Sequence, residues 1–188
     1  MRAKVVIYED NPKFLEALSL LISGIPEFEL TGAWLNTKDV IFQLNEKIPD
    51  VVLMDIGISP YDGIEATKLI VKTFPQVKIL IQTIFDDDDK VFAAICAGAS
   101  GYLLKSNLPL TLPASIHELM SGGSPMSPTI ARKILGLFKY HFHKTDLLEN
   151  YNLSKREKEV LKYLVDGASY KMIADKCGIA FETVKTHI

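Results

Sequence analysis

The sequence predicts an α/β fold, a doubly wound parallel sheet of five strands, followed by a small all-α helix-turn-helix domain. The first observation is a series of short aliphatic runs, each ending in a break, which is typical of strands buried on both faces. The second is the alternation of these runs with helical patterns across short connections, which places helices on both faces of one sheet. The third is a set of three closely spaced helix signals at the end of the 188-residue chain.

The elements follow one another regularly in the first 122 residues. We expect strands near 4–8, 28–34, 50–55, 77–82 and 101–104, and helices near 12–23, 37–47, 62–73, 87–98 and 109–121. The glycine-rich stretch 122–125 breaks this pattern, and Ser127 and Pro128 then supply an N-cap and a first-turn proline for another helix. Residues 123–152 are therefore interpreted as a linker that contains one helix.

Residues 153–188 contain several signals for the start and end of helices. Ser154 and Glu157 have the spacing of a capping box, and Ser169 is placed to cap a second helix. Gly178 predicts a turn, and a third helix is expected to begin near Phe181. Two helices joined by a short turn with glycine are the signature of a helix-turn-helix.

Composition favours a soluble globular protein. Hydrophobic residues make up 48% and charged residues 23% of the chain. The apolar stretches are far shorter than the roughly 20 residues of a membrane span, and the opening segment lacks the pattern of a secretory signal. We expect a cytoplasmic location. Cys96 and Cys177 lie in apolar helical patterns of different domains and are expected to be buried and unpaired.

Charge divides unevenly along the chain. Residues 1–123 carry 10 Lys and Arg against 16 Asp and Glu, a net charge of −6, whereas residues 124–188 carry 11 against 7, a net charge of +4. The acidic part suits a cation, and the basic part suits a phosphate backbone.

Polar residues follow the predicted strands at the point where each strand ends. Glu9 and Asp10 follow the first, Asp55 the third, Thr83 the fourth and Lys105 the fifth. The carboxyl ends of parallel strands share one edge of the sheet, where ligands bind in open α/β folds. Three carboxylates close together repel one another unless a cation lies between them. Oxygen ligands favour hard cations such as Mg²⁺, and protein-bound Mg²⁺ often also coordinates a phosphate group. The pattern predicts a site for a divalent cation and a phosphoryl group.

This pattern resembles the receiver domain of two-component response regulators of the NarL/FixJ-like family, and the last segment resembles a LuxR-type helix-turn-helix. The resemblance implies a receiver over 1–122, the linker over 123–152 and a DNA-binding domain over 153–188. It also implies the flavodoxin-like strand order 2-1-3-4-5. In that order the ligand site lies between the first and third strands.

The resemblance implies roles for the residues of this edge. Asp55 would accept the phosphoryl group, and Mg²⁺ would be held by Glu9, Asp10, Asp55 and the backbone carbonyl of Gly57. Lys105 would neutralise a phosphoryl oxygen and Thr83 would donate a hydrogen bond to another. Tyr102 would be a switch residue that turns inward as phosphoryl binding draws Thr83 toward the site.

The loop after Asp55 departs from the family pattern. The family usually has a proline four residues after the acceptor, whereas this chain has Ser59 there and Pro60 one residue later. Asp62 and Gly63 keep the expected spacing. We therefore expect the loop conformation to differ while its length is kept.

The implied partners are a sensor histidine kinase, duplex DNA and a second copy of the chain, with no membrane. The third C-terminal helix would enter the major groove and present Thr183, Lys185, Thr186 and His187, while Val184 and Ile188 pack inward. In the family this helix continues and a fourth follows. We therefore expect the C-terminal part of the domain to be missing from this chain.

Two other functions compete with a phosphorylation-activated, non-enzymatic regulator. A haloacid-dehalogenase-type phosphatase also uses a strand-end aspartate with Mg²⁺, but it requires a second aspartate two residues later, where this chain has Gly57. A phosphorylation-independent DNA-binding or dimerisation protein would use the first domain only as a scaffold. A phosphorylation assay with Mg²⁺ would distinguish this phosphorylation-independent protein from the phosphorylation-activated regulator.

Overall fold

The computed structural model describes residues 2–84, 88–137, 154–165 and 168–186. The chain divides into two compact units, 1–137 and 138–188. The first unit contains one parallel sheet in the order β2-β1-β3-β4-β5, which confirms the predicted topology. Its strands are β1 Ala3–Tyr8, β2 Phe28–Trp34, β3 Val51–Asp55, β4 Lys78–Thr83 and β5 Gly101–Leu104.

The helices lie close to their predicted positions. They are α1 Pro12–Ser23, α2 Val40–Glu46, α3 Gly63–Thr73, α4 Asp88–Cys96, α5 Leu108–Met120, α6 over the described residues 128–137, α7 Lys155–Val165, α8 Tyr170–Cys177 and α9 Phe181–Thr186. Helix α2 begins at Val40 and not near 37. Thr37 is instead buried in the preceding loop, where its hydroxyl donates a hydrogen bond of 2.7 Å to the carbonyl of Tyr61.

The central strands are buried on both faces, which explains their nearly continuous apolar sequence. Leu53, Leu80 and Leu103 point to the face covered by α1 and α5. Met54, Ile81 and Tyr102 point to the opposite face, in the core shared with α2, α3 and α4. Alternation along each strand therefore decides which face a side chain reaches.

Part of the segment expected as a linker packs on the first unit. The backbone amide of Tyr102 donates to the carbonyl of Pro125 (2.9 Å), and the amide of Ser127 donates to the carbonyl of Tyr102 (3.3 Å). Ile130 of α6 is fully buried in the core on the α4 face. Residues 124–127 therefore cover the edge of β5, which would otherwise present unpaired backbone groups. The rest of the linker, 138–152, lies outside the described residues.

The second unit has the predicted helix caps and helix ends. The amide of Glu157 donates to the Ser154 hydroxyl (3.2 Å), and the amide of Ser154 donates to the Glu157 carboxylate (2.7 Å), so the capping box is reciprocal. Gly178 ends α8 in the left-handed conformation, with φ of 61°. A small core joins the three helices through Val160, Ile173, Ala174, Cys177 and Val184.

The prediction that both cysteines are buried is wrong for Cys96. Both cysteines are free and Cys177 is buried, but Cys96 is exposed. Val91, Ala94 and Ala97 form the inward stripe of this segment, and Cys96 falls outside that stripe. Within the described residues, no helix has the length and apolar character needed to cross a bilayer.

Candidate functional site

Three carboxylates meet at the carboxyl edge of the sheet. Glu9 and Asp10 follow β1, and Asp55 ends the neighbouring strand β3, with Tyr8 and Met54 in register just before them. One oxygen from each carboxylate lies within 4.8 Å of the others. Glu9 is fully buried, Asp55 is 5% exposed and Asp10 is exposed, so the cluster opens to solvent on one side.

Lys105 reaches into this cluster from the far side of the sheet. It begins the single 3₁₀ turn that follows β5, and its Nζ lies 2.7 Å from Glu9 Oε2 and 3.0 Å from Asp55 Oδ2. The ammonium also lies 5.1 Å from the centre of the Phe14 ring on α1, a favourable cation–π distance. Lys105 thus partly balances two buried carboxylates.

The buried position of Glu9 shapes the electrostatics of the site. Burial raises the pKa of Glu9 above its ordinary value, while the hydrogen bond and the charge of Lys105 lower it and the charge of Asp55 raises it further. The carboxylate form of Glu9 is therefore costly where it stands. A divalent cation would stabilise it by the same physics that Lys105 uses.

Asn11 holds Glu9 and starts α1. Its backbone amide donates to Glu9 Oε1 (3.2 Å), and its side-chain oxygen accepts hydrogen bonds from the amides of Lys13 (3.1 Å) and Phe14 (3.2 Å). Asn11 is not among the residues predicted for this site, although an asparagine before the first-turn Pro12 is a common N-terminal helix signal.

The loop after Asp55 is fixed by the start of α3. The Asp62 carboxylate caps this helix by accepting from the amides of Ile64 and Glu65, both at 2.9 Å. At Gly63 an added Cβ would lie 2.1 Å from the carbonyl oxygen of Asp55, so the helix can approach this close only with glycine there. The peptide bond between Ser59 and Pro60 is cis. Gly57 is exposed in the same loop, and the role of its carbonyl stays a prediction.

Thr83 and Tyr102 lie on one face of the sheet. Thr83 is the buried last residue of β4, and Tyr102 on β5 is in register with Ile81, two residues before Thr83. Tyr102 is fully buried, in the inward position that the sequence analysis expects after phosphorylation. A surface depression is lined by Thr83, Ile84, Leu104, Lys105 and Ser106, and Lys105 also contacts the carboxylates of Glu9 and Asp55.

The predicted DNA-contacting residues lie on α9 or after it. Val184 is fully buried in the small helical core, as expected for its inward position, and Thr183 is half-buried. The side chains of Lys185 and Thr186, and residues 187 and 188, lie outside the described residues. Their DNA contacts stay predictions.

The carboxylate cluster fits the cation that the sequence predicts. Its three ligands are all oxygens, one of them solvent-exposed, which suits a hard ion that keeps some of its water. The arrangement could hold a divalent cation and place it beside the Asp55 carboxylate.

Two family models match the chain in separate segments. Residues 5–117 match the response regulator receiver domain, and residues 151–188 match the luxR family of bacterial regulatory proteins.

Similar proteins cover nearly the whole chain. The transcriptional regulatory protein LiaR of Bacillus subtilis is 32% identical over 98% of this chain and 87% of its own length. The response regulator protein VraR of Staphylococcus aureus is 31% identical over 100% of this chain and 88% of its own. Among solved structures, a LuxR-family two-component response regulator from Aurantimonas sp. SI85-9A1 is similar with a TM-score of 0.68 and 31% identity, covering 72% of this chain and 97% of that one. RcsB of Salmonella enterica serovar Typhimurium bound to a promoter has a TM-score of 0.66 at 22% identity, covering 100% and 88%, and supports the fold.

Proposed function

This chain belongs to the response regulators of two-component systems that join a receiver domain to a LuxR-type DNA-binding domain, and we propose that phosphorylation of Asp55 controls it. The observation that carries the proposal is the convergence of Glu9, Asp10 and Asp55 within 4.8 Å. Lys105 Nζ lies 3.0 Å from the Asp55 carboxylate. A carboxylate at this edge, flanked by a lysine and two further carboxylates, is equipped to accept a phosphoryl group.

The proposed reaction is a transfer from a phosphohistidine of a sensor histidine kinase. One carboxylate oxygen of Asp55 attacks phosphorus, the bond from phosphorus to the histidine nitrogen breaks, and an acyl phosphate forms. Lys105 is placed to neutralise a phosphoryl oxygen, and Thr83 to donate a hydrogen bond to another. The protein contributes mainly positioning and electrostatic stabilisation.

Mg²⁺ is the cation that this ligand set would hold. Glu9, Asp10, Asp55 and the carbonyl of Gly57 are the proposed ligands, and the bound ion would reduce the repulsion between the incoming phosphoryl group and the carboxylates. Burial of Glu9 supports this proposal, because a buried carboxylate with a raised pKa gains most from a nearby positive charge.

We propose that phosphorylation favours a homodimer that binds duplex DNA through α8 and α9. Thr183, Lys185, Thr186 and His187 are the proposed contacts. The switch runs from Thr83 to Tyr102, which lie on the same face of neighbouring strands. The backbone of Tyr102 is also hydrogen-bonded to residues 125 and 127, so a movement of this residue would act on the segment that leads to the second unit.

The decisive experiment is phosphorylation by a small acyl-phosphate donor with Mg²⁺. One acid-stable, base-labile phosphate should be added per chain, and Asp55→Asn should lose it, because the amide cannot act as the nucleophile. Intact-protein mass spectrometry measures both results. Asp62→Asn is a matched control, since its carboxylate caps α3 and should not be phosphorylated.

Labelling that persists in Asp55→Asn would place the acceptor elsewhere. Absence of labelling in the unaltered chain, together with DNA binding that is the same with and without the donor, would favour the phosphorylation-independent regulator.

A further inference from the structure

Gln82 is an unusual residue for its position in the sheet. It is fully buried on β4, and neither its side-chain nitrogen nor its side-chain oxygen has a hydrogen-bond partner among the described residues. Buried amides are paired in most proteins, and an unpaired one costs free energy comparable to a lost hydrogen bond. An aliphatic residue would fill a purely structural position here at lower cost.

Strand alternation places Gln82 on the face covered by α1 and α5. Leu80, two residues earlier on β4, belongs to the apolar core of that face. Gln82 is in register with Asp55 on β3 and with Leu103 on β5. Its side chain therefore lies beside the Asp55 side chain, on the face where Leu53, Leu80 and Leu103 form the apolar core.

The side chain of Lys105 passes over the end of β4, close to Gln82. It starts just after β5, whereas its ammonium contacts Asp55 on β3 and Glu9 after β1. Since β4 lies between β5 and β3 in the sheet, the lysine side chain must span the end of β4, where Gln82 is the last buried residue on this face. An ammonium has three donors, and two of them face carboxylates.

We propose that Gln82 is a positioning residue for Lys105, whose ammonium donates a hydrogen bond to the Gln82 side-chain carbonyl when a phosphoryl group is attached to Asp55. This inference rests on the proposed function. In the free site the two carboxylates hold the ammonium toward β3 and β1. A phosphoryl group on Asp55 would also accept a hydrogen bond from Thr83 at the end of β4. Its negative charge draws the Lys105 ammonium toward β4, where the side-chain amide of Gln82 lies. Gln82 thereby favours the phosphorylated form over the free form.

The test compares Gln82→Met with the unaltered protein and with Leu80→Met, a control on the same face of the same strand. Methionine keeps the length of the side chain but offers no comparable acceptor. With Mg²⁺ present, calorimetric titration with beryllofluoride, a phosphoryl mimic, should show binding weaker by about tenfold in Gln82→Met, since hydrogen bonds to charged groups contribute that much or more. Leu80→Met should bind as the unaltered protein does.

The melting temperature of the free protein supplies a second readout. Gln82→Met should melt at a higher temperature without ligand, because it removes the unpaired amide, and should gain less from beryllofluoride. A lower melting temperature of Gln82→Met without ligand would show that the amide already makes a stabilising contact in the free protein, and it would count against the inference. Gln82→Leu repeats the comparison with the residue type found at Leu53, Leu80 and Leu103.

Equal beryllofluoride affinity in the unaltered protein and both Gln82 variants would overturn the inference and leave the proposed function intact. So would an equal loss in Leu80→Met, which would point to packing alone. Failure of the unaltered protein to bind beryllofluoride with Mg²⁺ would instead count against the proposed function.

Discussion

At the scale of single residues, the main physical constraint on the site is the charge repulsion among three carboxylates that lie close together. Glu9 is buried and paired with Lys105, whereas Asp10 is exposed and has water as an alternative partner. Each additional negative charge makes the others costlier, and each positive charge offsets that cost. The sequence placed these residues at strand ends, but only their separation and burial show how strongly they interact.

Mg²⁺ should therefore stabilise the free protein measurably. A tenfold excess over its Kd contributes about 1.4 kcal/mol by preferential binding to the folded state, which raises the melting temperature by several degrees. Asp10→Ala should abolish this rise, and it should raise the melting temperature without Mg²⁺ because one repulsive charge is gone. Differential scanning calorimetry in EDTA and in MgCl₂ measures both effects.

Glu27→Ala is the charge-matched control for Asp10→Ala. Glu27 is exposed just before β2, at the opposite edge of the parallel sheet. Its variant should keep the full response to Mg²⁺. A response that survives in Asp10→Ala would show that the ion binds elsewhere.

At the scale of elements, the approach of α3 to β3 sets the position of Asp55, the proposed phosphoacceptor. Asp62 caps the helix, and Gly63 lets its first turn approach the Asp55 carbonyl. The spacing of these two residues is visible in the sequence. The reason for it is steric, and it appears only when the helix is packed against the strand.

Gly63→Ala should destabilise the first unit by about 1–3 kcal/mol, the usual cost of forcing a methyl group into a closed space. The methyl carbon would stand 2.1 Å from the Asp55 carbonyl oxygen, so strand or helix must move. Urea unfolding measures the free energy of unfolding. The same shift should slow labelling of Asp55.

Gly136→Ala is the control in this case. Gly136 lies in α6 with open space around its Cα, so alanine should be neutral or stabilise by about 0.5–1 kcal/mol. Equal stability of Gly63→Ala and the unaltered protein would mean that α3 can shift away from Asp55 at no cost.

At the scale of the whole molecule, the first unit is extended by the chain that leads to the second. Residues 124–127 cover the β5 edge, and Lys133 of α6 lies 2.9 Å from Asp88 of α4. Tyr102, the proposed switch residue, is therefore hydrogen-bonded through its backbone to the connecting segment.

Beryllofluoride with Mg²⁺ should convert the protein from monomer to dimer, since the mimic favours the phosphorylated form of the receiver. Sedimentation velocity should show this change for the unaltered chain, and no change for Asp55→Asn, which cannot hold the mimic in the same way. A sedimentation coefficient unaffected by beryllofluoride, at concentrations where calorimetry shows it bound, would contradict phosphorylation-driven dimerisation.

The order of the strands was implied by the resemblance to receiver domains, whereas the sequence by itself determined the helix positions and the strand ends that carry Glu9, Asp10, Asp55, Thr83 and Lys105. These follow from local signals, because burial of strands, helix caps and turns each leave a pattern within a few residues. The reciprocal capping box at Ser154 and the cap at Ser169 are of this kind, and both are observed.

Tertiary structure decided what depends on which elements pack together. It placed Lys105 between Glu9 and Asp55, exposed Cys96, turned Tyr102 inward and attached residues 124–137 to the first unit. It also left the amide of Gln82 without a hydrogen-bond partner among the described residues, in register with Asp55, where the sequence shows only two polar residues at the end of an apolar run. Distances between strands are long-range properties, and no local pattern encodes them.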